Sequence, residues 1–476
     1  MAEHQTYIRG DFQTPDALAA EVWASLGVLE GVAVVEPTVG NGAFLRTAPA
    51  SLLGCPWFCR DLNDAYVRQA LEVARSRGIE EARVEHADAF DLSAECFVGL
   101  DREQPILAVG NPPWVTSAGQ ASFEVRNLPK KTNGEFGLAG LDALTGMANF
   151  DIAEAILLRL LSALADFHDV RLAFLVKRSV AMKLGRRLLG RASELSFARV
   201  DAKTHFGASV DAGLFVSRLR SDRSQVASHI DVAEALGGEP TRRAGFQDGR
   251  FVEDLESHAT SVHLEADDTV PWRQGVKHDV AKILELIPTG DGGLLNGLGE
   301  SVIVEPDVLC PLYKSSDVAN GRQPRRVFPL FQNDLSGPIS DLASRWPLLA
   351  EYLARHEDVF ASRRSRIYAG KPPFSIFGVG SYTLAPWKVV VSGFYSTPRF
   401  RVLGPSPAGR PALVDDTCYL LPFETEAEAH TVANYLNSAG PQKLIRALSD
   451  DGAKRPITKA LLSRVEIPLS PVESCV

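Results

Sequence analysis

Asn111-Pro112-Pro113-Trp114 is the stretch of this chain whose residue types best suit chemistry on a flat, amine-bearing ring. Asn111 brings one side-chain acceptor and two donors. The two prolines fix φ and remove two backbone donors, leaving a rigid rim with its carbonyls free. Trp114 adds a large π face. An acceptor pair beside an aromatic plate suits a ring with an exocyclic amine. Taken alone, the four residues also read as a Pro-rich turn with a core Trp, so the flanking segments decide.

Several of those segments end in residues that could hold a ligand. Gly31–Val35 is a β-branched strand that runs into Glu36-Pro37-Thr38-Val39-Gly40-Asn41-Gly42. A strand, a Gly-containing turn and a helix in succession let a nucleotide-like ligand approach the backbone. A dinucleotide fingerprint needs three glycines, and here only Gly40 and Gly42 are present. Glu36 would repel a phosphate and suit a cationic amino-acid end. Trp57–Asn63 reads as the second strand, and an acid such as Asp61 near its end is the usual acceptor for ribose hydroxyls. Ala82–Phe90 reads as a third strand, where Asp88 can accept from a purine amino group with Phe90 against the ring. Each carboxylate alone is as readily a solvated strand end. Thr14 and Pro15 precede a helical pattern, Ala17–Leu26, as N-cap and first helical residue.

The elements that must carry these residues alternate along the chain. Ile106–Gly110 is a short apolar run, a buried strand that delivers Asn111 to its carboxyl end. Open α/β sheets place their ligand crevice at that end. Asn149–Ala165 is an amphipathic helix, and Arg171–Val176, Ser196–Ala202 and Gly213–Arg218 are further strands. The pattern predicts a doubly wound α/β domain of roughly 220 residues. Residues 115–148 break it with no clear period, and a loop of that length is usually functional or disordered. It is expected to be mobile without its ligand, with Lys130 and Lys131 near phosphates. The composition turns polar and Gly-containing over 221–262, which places a domain boundary at about 240.

The totals exclude some classes. A length of 476 residues suits two or three domains, and 45% hydrophobic with 23% charged residues is ordinary globular composition. No apolar run reaches membrane length, and the first residues lack a signal pattern. Six scattered cysteines indicate neither a zinc site nor a disulfide framework, so no metal and a reduced cytoplasmic setting are expected. The net charge of −9 is carried by the first 120 residues, which hold 8 basic and 17 acidic side chains. The remainder is balanced and locally basic. Arg363–Arg401 contains seven Lys or Arg, no acid and eight aromatics. Basic and aromatic residues interleaved in this way suit phosphate neutralisation and base contact. A two-sided β segment with core aromatics is the plainer alternative.

Thr14-Pro15, Glu36–Gly42, Asn111–Trp114 and the region beyond 240, in that order, resemble the gamma-class S-adenosylmethionine-dependent N6-adenine DNA methyltransferases. These are the modification methylases of type II restriction systems. The resemblance implies a Rossmann-like class I methyltransferase domain at 1–240, followed by a mixed α+β target-recognition domain at 241–476. It implies S-adenosyl-L-methionine as cofactor and double-stranded DNA as partner, with a separate cognate endonuclease and a monomeric enzyme. Thr14, Glu36, Thr38 and Gly40 would surround the methionine part of the cofactor, with Pro15 and Gly42 also in its binding site. Asp61 would hold its ribose, and Asp88 with Phe90 its adenine. Asn111, Pro112, Pro113 and Trp114 would handle the target base, with Asn111 also bordering the cofactor. His205-Phe206-Gly207 resembles the family segment whose aromatic packs against a flipped base, so Trp114 and Phe206 would stack on it. Lys130, Lys131, Arg363, Arg364, Arg366, Lys371, Lys388, Arg399 and Arg401 would meet DNA. The run Thr38-Val39-Gly40-Asn41-Gly42 departs from the smaller or cysteine-containing run of many relatives.

Other substrates are weighed against this one. A cytosine-N4 enzyme more often has a small residue where Asn111 stands. A protein-glutamine methyltransferase shares the tetrapeptide but is usually shorter. An RNA adenine methyltransferase and a non-catalytic DNA-binding subunit keep the same fold. A nuclease reading needs a carboxylate where Leu312 stands between Pro306-Asp307 and Lys314.

Overall fold

The computed structural model describes residues 12–115, 151–266, 270–334 and 337–467. The chain divides into two compact units, Met1–Leu255 and Glu256–Val476.

The first unit is built on one sheet. Its strands are β1 (Ala33–Glu36), β2 (Trp57–Asp61), β3 (Ala82–His86), β4 (Ile106–Gly110), β5 (Asp169–Lys177), β6 (Glu194–Val200), β7 (Ala212–Arg220), β8 (His229–Ala233), β9 (Arg242–Gln247) and β10 (Arg250–Val252). They lie in the order β10-β9-β8-β6-β7-β5-β4-β1-β2-β3. The five strands β3, β2, β1, β4 and β5 are parallel, and β7 runs antiparallel between β5 and β6. This is the doubly wound arrangement expected from the strand and helix alternation.

Both faces of the central strands are covered, which is why β1 and β4 are buried at every position. The period of two still sorts their side chains. Val34, Leu107, Val109, Ala173 and Leu175 join one core with Leu18, Val22 and Trp23 of the helix Asp16–Ser25. Ala33, Val35, Ile106, Ala108, Leu172 and Phe174 join the other, with the helices Ile152–Ala163 and Arg178–Leu188. Trp23 meets Phe44 and Trp57 edge-on, with centroids 5.6 and 6.2 Å away, and so fixes the first helix over the start of β2.

Two local expectations change. Pro15, not Thr14, is the cap residue of the first helix, and no side chain caps it. Thr14 precedes a proline and is therefore held extended, with its hydroxyl turned elsewhere. The first unit also continues past 240 to Leu255, because the polar stretch contains an edge hairpin. Asp248 and Gly249 both have positive φ, 49° and 75°, and form the tight turn between β9 and β10.

The second unit is mixed α+β, with strands β11 (Arg273–Gln274), β12 (Ile287–Pro288), β13 (Leu294–Leu295), β14 (Leu309–Tyr313), β15 (Arg326–Pro329), β16 (Trp387–Ser392), β17 (Arg401–Leu403), β18 (Leu413–Val414) and β19 (Cys418–Phe423). A four-stranded sheet runs β11-β19-β16-β17, and a three-stranded one runs β15-β14-β18. Strands β12 and β13 pair with each other. Trp346, Tyr352, Phe328 and Phe331 are part of the main apolar core of this unit. Among the described residues, no helix is long and apolar enough to cross a membrane.

Candidate active site

The strand order reverses between β1 and β4. Chain connections leave β1 toward β2 and β3, and leave β4 toward β5, so a crevice opens at the carboxyl ends of these two strands. A cavity of about 600 Å³ lies there. Thr14, Glu36, Thr38, Gly40, Asp61, Asp88, Phe90, Asn111 and Pro113 all line it, from five separate segments of chain.

The glycine turn forms the floor. Gly40 and Gly42 have φ of +55° and +78°, which few other residues adopt. A Cβ on Gly40 would lie 2.6 Å from Gln13 Oε1, so a side chain there would have to displace the Gln13 amide. The Gly40 amide donates to Asp61 Oδ2 at 2.9 Å, and the Asn63 amide to Asp61 Oδ1 at 2.8 Å. Asp61 thus ties the end of β2 to the turn after β1. A carboxylate is an acceptor-only group, the chemistry that a ligand hydroxyl needs.

Glu36 ends β1 with 1% of its surface exposed. Burial raises its carboxyl well above the usual range, Asp61 adds to the rise, and Arg46 opposes it. Glu36 Oε2, Thr38 Oγ1 and Asn111 Oδ1 are buried and have no hydrogen-bond partner among the described residues. Three unsatisfied polar atoms around one cavity are what a polar ligand would satisfy. Asp88 Oδ1 accepts from the Phe90 amide at 2.9 Å, which turns the chain after β3 and brings Phe90 to the cavity. Phe90 packs with Ala89, Ile152 and Ile156 into a small apolar patch.

Asn111 has a defined orientation. Its Nδ2 donates to the Phe12 carbonyl at 2.9 Å and to Thr14 Oγ1 at 3.3 Å. A carbonyl accepts only, so the amide nitrogen must face it, which leaves Oδ1 on the other side of the amide of a residue that lines the crevice. Trp114 differs from the open plate expected. It is 7% exposed, its Nε1 donates to the Leu175 carbonyl at 3.1 Å, and its edge meets Phe206 at 4.9 Å. Phe12 lies 5.6 Å from Trp114 and 6.0 Å from Phe206. Trp114 is therefore the anchored base of an aromatic cluster whose half-buried members are Phe12 and Phe206.

Phe12, Gln13, Ile152 and Ile156 were not singled out by their spacing, yet they border the crevice. Gln13 stands beside Thr14 and could have been noticed only as part of that segment. Ile152 and Ile156 are one turn apart on a helix that the sequence shows, but nothing local reveals which neighbour that face meets.

The candidate DNA contacts divide. Lys130 and Lys131, and all of the 115–148 loop except Val115, lie outside the described residues. Arg364, Arg366, Lys371 and Arg399 are exposed. Lys388 is not a surface residue: it is 1% exposed within β16, and its Nζ donates to the Ala385 carbonyl at 2.6 Å. Arg363 is half-buried, donates to the Phe360 and Ser375 carbonyls, and lies 3.8 Å over the Tyr368 ring. Arg401 packs against Gly321. The basic run is thus half surface and half core, because β16 needs buried side chains on both faces. Asp307 accepts from Trp346 Nε1 at 3.1 Å, a packing role.

No family model matches the chain. It is 34% identical over 469 residues to the type II methyltransferase M.NspV of Nostoc sp. (strain ATCC 29411 / PCC 7524), covering 96% of each chain. The chain belongs to the type II methyltransferases. These are restriction-modification DNA methyltransferases, and their methyl donor is S-adenosyl-L-methionine. Among solved structures, the type IIL restriction-modification enzyme MmeI in complex with DNA matches with a TM-score of 0.52 and 13% identity. The match covers 94% of this chain and 64% of that enzyme, so this chain spans less than two thirds of MmeI's length. At that identity the likeness concerns the fold.

The residues present fit the cofactor. Glu36 suits the cationic end of its methionine part, Asp61 the ribose hydroxyls, and the Phe90, Ile152 and Ile156 patch a flat purine. The glycine turn gives the close backbone approach that a nucleoside needs.

Proposed function

We propose that this methyltransferase acts on the N6 amino group of an adenine flipped out of double-stranded DNA. The observation that carries the reading is Asn111 Oδ1: a buried acceptor, unpartnered among the described residues, on a crevice-lining amide whose nitrogen is held by the Phe12 carbonyl. An exocyclic amine presents two hydrogens. Asn111 Oδ1 would accept one, and the Pro112 carbonyl on the same rigid rim would accept the other. The amine is a poor nucleophile while its lone pair is delocalised into the ring. Two acceptors placed in this way favour a pyramidal nitrogen with the pair directed into the crevice. Bound S-adenosyl-L-methionine supplies a methyl group already activated by its sulfonium. The enzyme's contribution is then positioning and electrostatics, and no covalent enzyme nucleophile is needed.

Extruding the base costs a few kcal/mol or so. Stacking on Phe206, backed by the anchored Trp114, would offset this by roughly 1–3 kcal/mol. The second unit would read the target sequence, with Arg364, Arg366, Lys371 and Arg399 as its exposed cations. A separate endonuclease with the same target would complete a restriction-modification pair.

The test is transfer of labelled methyl to unmethylated genomic DNA, to RNA and to protein, followed by nucleoside analysis. N6-methyladenine in DNA is expected. N4-methylcytosine as the sole product, or label only in protein or RNA, would overturn the assignment. Asn111→Ala is expected to lower turnover by several orders of magnitude with cofactor affinity nearly kept. An equal collapse of cofactor affinity would make Asn111 structural instead.

A further inference from the structure

The chain just before the first helix does more than line the crevice. Pro15 has φ −62° and ψ 141°, and a proline also keeps the residue before it extended. Successive side chains of an extended segment point to opposite sides. Adjacent side chains in such a segment can therefore serve different partners. The Phe12 carbonyl and Thr14 Oγ1 accept both hydrogen bonds from Asn111 Nδ2, at 2.9 and 3.3 Å. Gln13 Oε1 accepts from the Asn41 amide at 2.8 Å, within the glycine turn. Gly40 leaves the space that this contact occupies. Thr14 is 8% exposed, so the link is shielded from water.

We infer that Gln13 and Thr14 are positioning residues that lock the Asn111 amide to the glycine turn, so that the amide oxygen faces the target amine. The inference rests on the reading of Asn111 as the acceptor for that amine. The strap joins the part of the crevice that grips cofactor to the part that grips the base. A sheet alone does not set this relation, because an Asn amide can rotate by half a turn and still fill its space. Neither residue touches a reacting atom; each acts through Asn111.

The experiment uses the full chain with unmethylated genomic DNA and S-adenosyl-L-methionine. Thr14→Val keeps the shape and removes the acceptor, and Thr14→Ser keeps the acceptor. Gln13→Ala removes the contact to the turn, and Gln13→Glu keeps its accepting oxygen. Thr14→Val is expected to lower kcat about fivefold to tenfold, the effect of removing one hydrogen bond. Its KM for DNA and its calorimetric cofactor Kd should stay within about twofold, and Thr14→Ser should restore kcat. The double variant Gln13→Ala, Thr14→Val should lose no more kcat than the worse single variant, since both act through one strap.

If Thr14→Val raises cofactor Kd and leaves kcat unchanged, Thr14 is a cofactor contact and the inference fails. Multiplicative losses in the double variant would break the link between the two residues. Asn111→Ala separates failure of the strap from failure of the acceptor. If it abolishes turnover while both strap variants keep full kcat, the strap alone is wrong. If it retains turnover, the acceptor reading falls and takes the strap with it.

Discussion

Glu36 is a buried carboxyl in the lining of the crevice, and its burial has a consequence for stability. It is a carboxyl 1% exposed at the end of β1, and burial, then Asp61, raise it well above the ordinary carboxylate range. The folded protein therefore holds the Glu36 proton more tightly than the unfolded chain does. The stability linked to that proton is present at pH below the unfolded value and is lost as pH rises through the folded one. Glu36→Gln cannot ionise, so without cofactor it should melt higher than the natural protein at neutral pH. A scan of Tm against pH checks this, and a lower Tm for the variant at neutral pH would refute it. A cationic ligand reverses the balance by stabilising the carboxylate. Cofactor binding by the natural protein should release a proton on the acid side of the raised pKa, and Glu36→Gln should bind cofactor at least about tenfold more weakly, the scale of a charge-assisted contact. Calorimetry in two buffers of different ionisation heat reads both. Equal apparent heats in the two buffers would mean that Glu36 does not change its protonation when the crevice fills.

At the level of elements, the sheet closes on a buried ion cluster. Glu253 follows β10 directly, 2% exposed, and its two oxygens accept from Arg178 at 2.6 Å and Arg186 at 2.7 Å. Arg178 itself is fully buried. Removing Arg178 leaves Glu253, in a nearly dry site, with the part-exposed Arg186 to balance it. Arg178→Met should therefore destabilise the first unit by roughly 3–5 kcal/mol, and adding Glu253→Gln should recover part of that loss. Urea unfolding measures both, and a single-variant loss below about 1 kcal/mol would mean the cluster does not hold the edge hairpin. The hairpin is also where sequence reading stopped short. β4 was legible residue for residue, because an apolar run of five between turn signals has few alternatives. Glu36, Asp61, Asp88 and Asn111 were legible as a set, because each stands at or just beyond the carboxyl end of one of four successive strands. β9 and β10 were not. They are short, rich in arginine and joined by Asp248-Gly249, and their polar side chains made the segment look like a linker. Nor could spacing reveal that Trp114 is buried: its indole partner is Leu175, sixty-one residues away. The helices beside the crevice were visible, but the faces they present depend on the sheet order.

Taken over the whole molecule, charge is unevenly spread, and only the exposed part of it can act on DNA. The balance of −9 sits in the first 120 residues, while Arg363–Arg401 has seven cations without an acid. Three of those seven are engaged internally: Lys388 in β16, Arg363 over Tyr368, and Arg401 on Gly321. Burial brings Lys388 down to about 8 from its ordinary 10.5. A lysine depressed on folding destabilises the protein wherever the unfolded chain is charged and the folded site resists charge. That penalty is present below about pH 8 and fades as pH rises toward 10.5, where both states are neutral. Lys388→Met should accordingly be as stable as the natural protein or more so at pH 7, with the difference shrinking by pH 10. Its duplex affinity and salt dependence should be unchanged. Arg364, Arg366 and Lys371 are the counterpart, since all three are exposed. Replacing them together by Ala should weaken duplex binding at every sequence and shallow the slope of log affinity against log salt, by roughly 0.9 for each phosphate no longer neutralised. Cofactor Kd should stay the same, because the crevice proposed for the cofactor is lined by residues of the other unit. Fluorescent duplex titrated at two salt concentrations, with cofactor binding measured on the same preparations, distinguishes the outcomes. A triple variant with an unaltered slope would move the DNA face away from this stretch, whereas a Lys388→Met variant with a shallower slope would show that the buried lysine reaches DNA after all.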